Sequence, residues 1–229
     1  MFWLSRLKRD TDLRIVEPVP RRDGELITIA NMEGVPPDRR CALYRWIPGR
    51  PLDEQLSADY YHQLGGMMAR LHTHAESLVL PADLQPKRWD RVFYYPDEKA
   101  IYRQPEYRAL FPESRAALLD RAVSFCDALL GGLYREKPPI LIHGDLQYYN
   151  VHVFRRQLYL LDFEDVLLGY PVQDVAVTLY YGTQRPDYAD LCAAYREGYS
   201  ALRPWPVESD LQLTGLMAAR LTNFINYVA

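Results

Sequence analysis

Apolar residues recur with the spacing of amphipathic helices in five stretches of the chain. We predict helices over residues 2–13, 53–75, 112–134, 187–202 and 208–228, the second as one helix or in two pieces. Pro112 suits the first turn of the third helix. Its predicted buried face consists of apolar side chains at helical spacing, namely Leu118, Leu119, Ala122, Phe125, Leu129 and Leu133.

Shorter runs between these helices predict strands and turns. The segment EPVPRRDGELITIA contains a turn at Asp23-Gly24, and RRCALYRWIPGRPL ends at Pro48-Gly49, so together they predict a small antiparallel sheet. Further along, ILIH indicates the end of a strand, and VHVF with LYLLDF indicates a hairpin turning at residues 155–157. The predicted fold class is α+β, with a partial sheet lobe over residues 1–50 and a mainly helical lobe over 51–229.

The composition narrows the class of protein. The 229 residues are 48% apolar and carry a formal net charge of -3, so a sizeable core forms and neither nucleic acid nor a membrane surface is an expected partner. The three cysteines are far apart and form no CxxC pair, which indicates reduced thiols in a cytoplasmic protein. No apolar run approaches the ~18–20 residues that cross a bilayer.

The strongest candidate for chemistry is the stretch LIHGDLQYYNVHVFRRQLYLLDFED. Asp145 lies in the loop that leads into the predicted hairpin, and Asn150 and Asp162 lie at the two ends of the hairpin. Because a hairpin brings its ends together, we expect Asn150 and Asp162 to lie side by side. The alternative, which their joint spacing disfavours, is that Asp145 and Asp162 are a helix cap and a turn residue.

The same stretch resembles a known family. HGDLQYYN and DFE have the spacing of the catalytic and metal loops of protein kinases, with Gly144 in place of the kinase arginine. The HGD form is similar to the aminoglycoside phosphotransferase superfamily, which includes choline kinases and type II homoserine kinases. This resemblance implies a protein-kinase-like fold with a catalytic β-hairpin, and an ATP-dependent phosphotransferase that acts on a hydroxyl of a small molecule.

The resemblance also implies roles for single residues. Asp162 and Asn150 would hold Mg²⁺, and Asp145 would accept the proton of the acceptor hydroxyl. His143 and Asp174 are expected to be structural, as braces of the catalytic loop. The hinge, formed by Tyr44, Arg45, Trp46 and Ile47, would offer backbone groups to the adenine of ATP.

Two parts of a complete kinase are missing from these residues. No glycine-rich loop occurs before the hinge, and the only lysine before Lys87 is Lys8, in the predicted first helix. We therefore expect a chain that starts partway through the nucleotide lobe, as a truncated homologue, through a misassigned start codon or as a shortened chain. Its phosphate transfer is expected to be very slow or absent. We also expect Ile27, Ile29, Leu43 and Trp46 to be uncovered, which favours a homodimer through this lobe.

Several alternatives stay open from the sequence. Residues 81–111 either border the acceptor site or pack as an ordinary connecting segment. Glu164 and Asp165 either reach a cationic substrate or a second Mg²⁺, or are solvated. A non-catalytic kinase-like module that binds or regulates a partner is the second functional hypothesis. Metal-assisted hydrolysis by Asp145 and Asp162 is a third, disfavoured because two-metal hydrolases usually add histidine ligands.

Overall fold

The computed structural model describes residues 1–95 and 97–228 and divides into two compact units. One unit comprises Met1–Leu56 with Tyr148–Phe163, and the other comprises Ser57–Gln147 with the chain from Glu164 onward. The helical lobe predicted over residues 51–229 includes the hairpin, which in the structure groups with the N-terminal residues. The last residue of that predicted range, Ala229, lies outside the described residues.

Helices and small antiparallel sheets make up the described chain, which confirms the α+β class. The helices are α1 (Phe2–Asp10), α2 (Ala58–Glu76), α3 (Glu113–Glu136), α4 (Pro171–Tyr180), α5 (Tyr188–Ser200) and α6 (Asp210–Val228). The strands are β1 (Thr28–Ala30), β2 (Arg39–Cys41), β3 (Arg50–Pro51), β4 (Ile140–Ile142), β5 (Val151–Phe154), β6 (Gln157–Leu160) and β7 (Leu167–Gly169). All five predicted helices are confirmed, and a 3-10 turn over Leu52–Gln55 makes the second a two-piece segment.

The smaller unit is built on two sheets and one helix. Strands β3, β5 and β6 form one antiparallel sheet in that order, and β1 pairs with β2 in another. Helix α1 buries Trp3, Leu4 and Leu7, and the Trp3 ring meets the edge of Phe163 at 5.8 Å between centroids. This contact attaches the N-terminal helix to the end of the hairpin that carries Asp162.

The hairpin closes with a two-residue turn at Arg155-Arg156. Both residues have positive φ, 50° and 63°, and the flanking Phe154 pairs with Gln157. Positive φ at both central positions defines the type I′ turn, whose twist matches that of paired strands. The turn therefore sets the register in which Val151 faces Leu160 and places the ends of the hairpin together.

The larger unit is mainly helical, and helices α2 and α5 approach closely through two glycines. A Cβ at Gly65 would lie 2.1 Å from the Tyr195 carbonyl oxygen, and a Cβ at Gly198 would lie 1.9 Å from that of His62. These distances leave no space for any side chain. The contact buries His72 of α2 near Tyr199 of α5, and His72 belongs to the candidate site.

The predicted buried face of helix α3 is confirmed only in part. Leu118 and Phe125 are 55% and 47% exposed, whereas the fully buried residues of the helix include Ala116, Cys126 and Leu130. The predicted face nevertheless contacts α6, because a Cβ added at Gly215 would lie 2.6 Å from the Leu129 Cδ2 and 3.1 Å from the Phe125 Cε1. The Cys126 Sγ lies 3.5 Å from the Gly215 carbonyl oxygen, so a small residue that was not predicted is buried at the same contact.

Helix α4 was not predicted at all. Val172–Leu179 are all buried, the polar Gln173, Asp174 and Thr178 included, so no exposed polar face marks the segment as a surface helix. Its start is marked by Pro171 in the first turn and by the Gln173 Oε1 atom, which accepts the Tyr170 N–H at 2.7 Å.

None of the helices within the described residues is long and apolar enough to span a bilayer.

Candidate active site

The loop that follows strand β4 is held by one buried carboxylate. The backbone N–H groups of His143 and Gly144 each donate to Asp174, at 2.8 Å. Gly144 has a φ of 81°, and a Cβ there would lie 2.6 Å from the Asp165 carbonyl oxygen. Only glycine fits this position, because the left-handed backbone and the close carbonyl both exclude a side chain. The HGD spacing thus produces a tight turn that presents Asp145.

Asp174 is itself completely buried, with 0% of its surface exposed. Its Oδ2 atom lies 3.1 Å from the His72 Nε2, and the His72 Nδ1 lies 2.9 Å from the Tyr199 hydroxyl. Burial acts to raise the pKa of Asp174, but hydrogen bonds from His72 and the Gly144 backbone outweigh it, so that the pKa lies below its usual value. A charged Asp174 therefore connects helices α2, α4 and α5 to the loop.

Asp145 is largely buried and forms an ion pair. Its side chain is 15% exposed, and its Oδ1 accepts a hydrogen bond from the Nη2 of Arg220 on α6. The Oδ2 atom has a longer contact of 3.4 Å with the Gln147 amide nitrogen. Burial raises the pKa of Asp145, and the positive charge of Arg220 opposes that rise. No sequence motif predicted this role for Arg220, which lies 75 positions from Asp145.

Asp145 lies on the wall of a cavity of about 280 Å³ within the helical unit. The lining contains two carboxylates, one guanidinium and several aromatic rings: Tyr94, Tyr95, Asp145, Gln147, Asp165, Tyr181, Arg220, Asn223, Phe224 and Tyr227. Of the predicted acceptor segment, Tyr94 and Tyr95 therefore face the cavity, while Trp89 and Tyr102 are buried at 2% and 4% exposure. Asp165 also lines this cavity, where it would contact a cationic substrate, one of the alternatives left open for this residue.

Asn150 and Asp162 lie in the other unit, at the open end of the hairpin. The Leu161 N–H donates to the Asn150 carbonyl oxygen at 2.9 Å, so the backbone pairs directly beside Asp162. Asp162 has a φ of 59°, a left-handed conformation that is uncommon for residues other than glycine. Such outliers cluster at functional sites, where the local structure holds them. The Asn150 backbone thus pairs with the residue before Asp162, and the joint role of the two side chains stays a prediction.

The donor set at this end of the hairpin fits a magnesium ion. A carboxylate and a carboxamide both offer hard oxygen ligands, which Mg²⁺ prefers, and Mg²⁺ usually takes only one or two protein carboxylates. Within residues 1–95 and 97–228, no group of three or more His, Cys, Asp or Glu side chains could hold a metal ion. Asn150 and Asp162 could contribute two oxygen ligands to a site that phosphate oxygens and water complete.

The predicted hinge residues lie in the smaller unit. Tyr44 forms an isolated bridge with Pro18, and the Arg45 N–H donates to the Glu17 carbonyl oxygen at 2.9 Å. Trp46 is 86% exposed, whereas Ile47 is buried. The Arg45 N–H is thus already paired, and the assignment of residues 44–47 to adenine stays a prediction.

The two units and the loop after β4 define a protein of the protein-kinase-like fold. The family model for the phosphotransferase enzyme family, APH, matches residues 5–205. The chain belongs to this family, as the HGD and DFE motifs predicted. No curated protein matches the chain significantly.

Solved structures are similar to the chain over nearly its whole length. A microcompartment-associated aminopropanol kinase superposes with a TM-score of 0.75 at 22% identity, over 99% of this chain and 70% of that one. An amicoumacin kinase in complex with AMP-PNP and Ca²⁺ gives 0.70 at 15% identity, over 99% and 66%. A spectinomycin phosphotransferase in complex with ADP gives 0.63 at 16% identity, over 98% and 69%. At these identities the similarity shows the fold, and the chain spans about two thirds of these proteins.

Proposed function

We propose that this chain is a small-molecule kinase that transfers the terminal phosphoryl group of ATP to a hydroxyl group. The observation that carries the proposal is the position of Asp145, a buried carboxylate on the wall of a cavity, on a loop held by Asp174. In this role the Asp145 carboxylate accepts the hydroxyl proton, while the cavity orients the acceptor and excludes water. His143 and Asp174 act as supports of the loop.

The proposal assigns the metal to the hairpin. Asn150 and Asp162 would hold Mg²⁺, which when bound supplies charge neutralisation for the phosphates of ATP. The left-handed backbone at Asp162 and the hard oxygen donors support this assignment. The backbone of residues 44–47 would receive the adenine.

The cavity supports a small, positively charged acceptor. Asp145 and Asp165 carry two negative charges against the single positive charge of Arg220, and tyrosine rings form much of the remaining wall. A carboxylate together with aromatic faces is a favourable environment for an ammonium group. An amino alcohol or amino sugar has both this group and the hydroxyl that is phosphorylated. Among similar structures, an aminopropanol kinase and a glucosamine kinase bear names of this chemical class.

The rate of transfer in this chain is expected to be low. Each missing charge-assisted contact to phosphate removes roughly 1.5–3 kcal/mol, and each 1.36 kcal/mol in the transition state is about tenfold in rate. No glycine-rich loop and no strand lysine occur before residue 87 to make these contacts. The second candidate is a non-catalytic module that binds a nucleotide, a metal or a partner protein.

A coupled kinase assay on the purified chain, with amino alcohols as acceptors, tests both candidates. We expect detectable turnover well below about 1 per second, because these residues lack the charge-assisted phosphate contacts that stabilise the transition state. Thermal shift supplies the second measurement, since a ligand stabilises the native state by RT ln(1 + [L]/Kd). Stabilisation by Mg²⁺–ATP with slow transfer supports the kinase. Turnover near 1 per second overturns the low rate, and stabilisation by Mg²⁺ alone supports the second candidate.

The proposal also covers the oligomeric state of the protein and its location in the cell. We propose a cytoplasmic protein that forms a homodimer through the small unit, where Ile29, Leu43 and Trp46 are 51%, 67% and 86% exposed. Exposed apolar side chains beside a two-stranded sheet favour pairing with a second copy. Light scattering across a concentration series is expected to show a dimer, and Trp46→Glu is expected to shift it to monomer. A wild-type chain that stays monomeric at high concentration argues against this interface.

A further inference from the structure

Arg220 is a buried cation on helix α6 with several partners in the candidate active site. Only 8% of its surface is exposed. Its Nη2 donates to the Asp145 Oδ1, and its guanidinium carbon lies 4.4 Å from the centroid of the Phe224 ring. Arg220 also hydrogen bonds to the side chain of Tyr181, at the end of α4. One guanidinium therefore connects α4 and α6 to the proposed general base.

A buried carboxylate without a compensating charge would be protonated or misplaced. Arginine is suited to compensate because its guanidinium stays charged at every physiological pH and has a rigid, planar set of donors. Within the described cavity wall, Arg220 is the cation that contacts Asp145 directly. The charge state of the proposed base thus depends on this residue.

We infer that Arg220 is a positioning residue for the proposed phosphotransfer: it holds Asp145 ionised by binding Oδ1 and so directs Oδ2 to the acceptor hydroxyl. The inference rests on the proposed function. Oδ2 has a longer 3.4 Å contact with the Gln147 amide nitrogen, and a carboxylate oxygen accepts more than one hydrogen bond. The acceptor proton therefore goes to Oδ2, while the Arg220 pair stays in place.

The charges around Asp145 define what the removal of Arg220 does. His143 on the same loop and Arg220 on α6 act to lower the pKa of Asp145, while burial and the charge of Asp165 act to raise it. The phenol groups of Tyr94 and Tyr181 also face Arg220. Without the guanidinium, burial and Asp165 are opposed by fewer charges, so the pKa of Asp145 rises further.

The experiment compares Arg220→Met, Arg220→Lys and wild type. We expect Arg220→Met to lower kcat about 10- to 100-fold, with the KM for ATP unchanged. The acidic limb of the pH–rate profile is expected to move to higher pH, since activity needs the ionised base. Arg220→Lys is expected to restore part of kcat and to return most of the pH–rate profile to its wild-type position. A matched control is Arg203→Met, which breaks the 2.6 Å pair of Arg203 with Glu76 outside this cavity and is expected to leave the pH profile unchanged.

Carbon-13 NMR of aspartate carboxyl groups, assigned with Asp145→Asn, tests the inference without any turnover. The Asp145 titration midpoint is expected to rise in Arg220→Met and to return toward wild type in Arg220→Lys. An unchanged midpoint overturns the inference, whether or not the chain is a kinase. A shifted midpoint in a chain that transfers no phosphate supports the Arg220 contact and counts against the proposed function instead. Where Arg220→Met does not fold, Arg220→Gln with the same measurement decides.

Discussion

Replacing Asp145 by asparagine is expected to lower the rate of phosphate transfer by about 10²- to 10⁴-fold, the usual contribution of a general base. The two side chains have nearly the same shape, and the asparagine oxygen still accepts a hydrogen bond from Arg220. The change therefore removes the proton acceptor and leaves the loop, held by Asp174, in place. Single-turnover transfer from radiolabelled ATP measures the rate even where steady-state turnover is slow.

Asp165→Asn is the matched control for this substitution. Asp165 lines the same cavity, but in the proposed function it contributes charge for the acceptor and takes no proton. We expect Asp165→Asn to raise the KM for an amine-bearing acceptor while kcat changes little. Transfer by Asp145→Asn at the wild-type rate would remove the central assignment of the proposed function.

Replacing Asp174 by asparagine is expected to cost about 2–4 kcal/mol of unfolding free energy, since hydrogen bonds to charged groups contribute roughly 1.5–3 kcal/mol each. Asp174 is fully buried and accepts from His143, Gly144 and His72. An asparagine amide oxygen cannot replace both carboxylate oxygens, so at least one backbone N–H is left without a partner. Urea denaturation of the two proteins measures the difference.

The pH dependence of this difference follows from the lowered pKa of Asp174. In the unfolded chain an aspartate carboxyl group has a pKa of about 3.9. Above that pH the stabilisation by Asp174 is fully present, and it is lost as the pH falls through the lower pKa of the folded protein. The gap between wild type and Asp174→Asn should therefore be constant near neutral pH and narrow under acid conditions.

An exposed carboxylate serves as the control for both measurements. Asp120 pairs with Arg103 on the surface, where the side chains are 44% and 39% exposed, so solvent screens the pair. Asp120→Asn is expected to change the unfolding free energy by less than about 1 kcal/mol. Equal losses in the two variants would show that Asp174 is an ordinary ion-pair residue and not the brace of the loop.

Local features of this protein could be predicted because they depend on neighbours in sequence. The hairpin from Val151 to Leu160 follows from alternating apolar residues around a short turn, and its closure pairs Asn150 with Leu161, the residue before Asp162. The position of Gly144 follows in the same way, because the HGD turn needs a left-handed residue. Helix α4 escaped prediction because it is buried on all sides and has no exposed polar face.

The sequence by itself determined the α+β class, most helices, the hairpin and the motif that places the chain in its family, since these depend on local spacing. Only the tertiary structure decided which residues surround Asp145. Arg220 and His72 lie 75 and 102 positions from Asp145 and Asp174, their respective partners. No local period connects residues so far apart, because helix packing brings them together. The charge state of the proposed base is therefore a property of the packed helices.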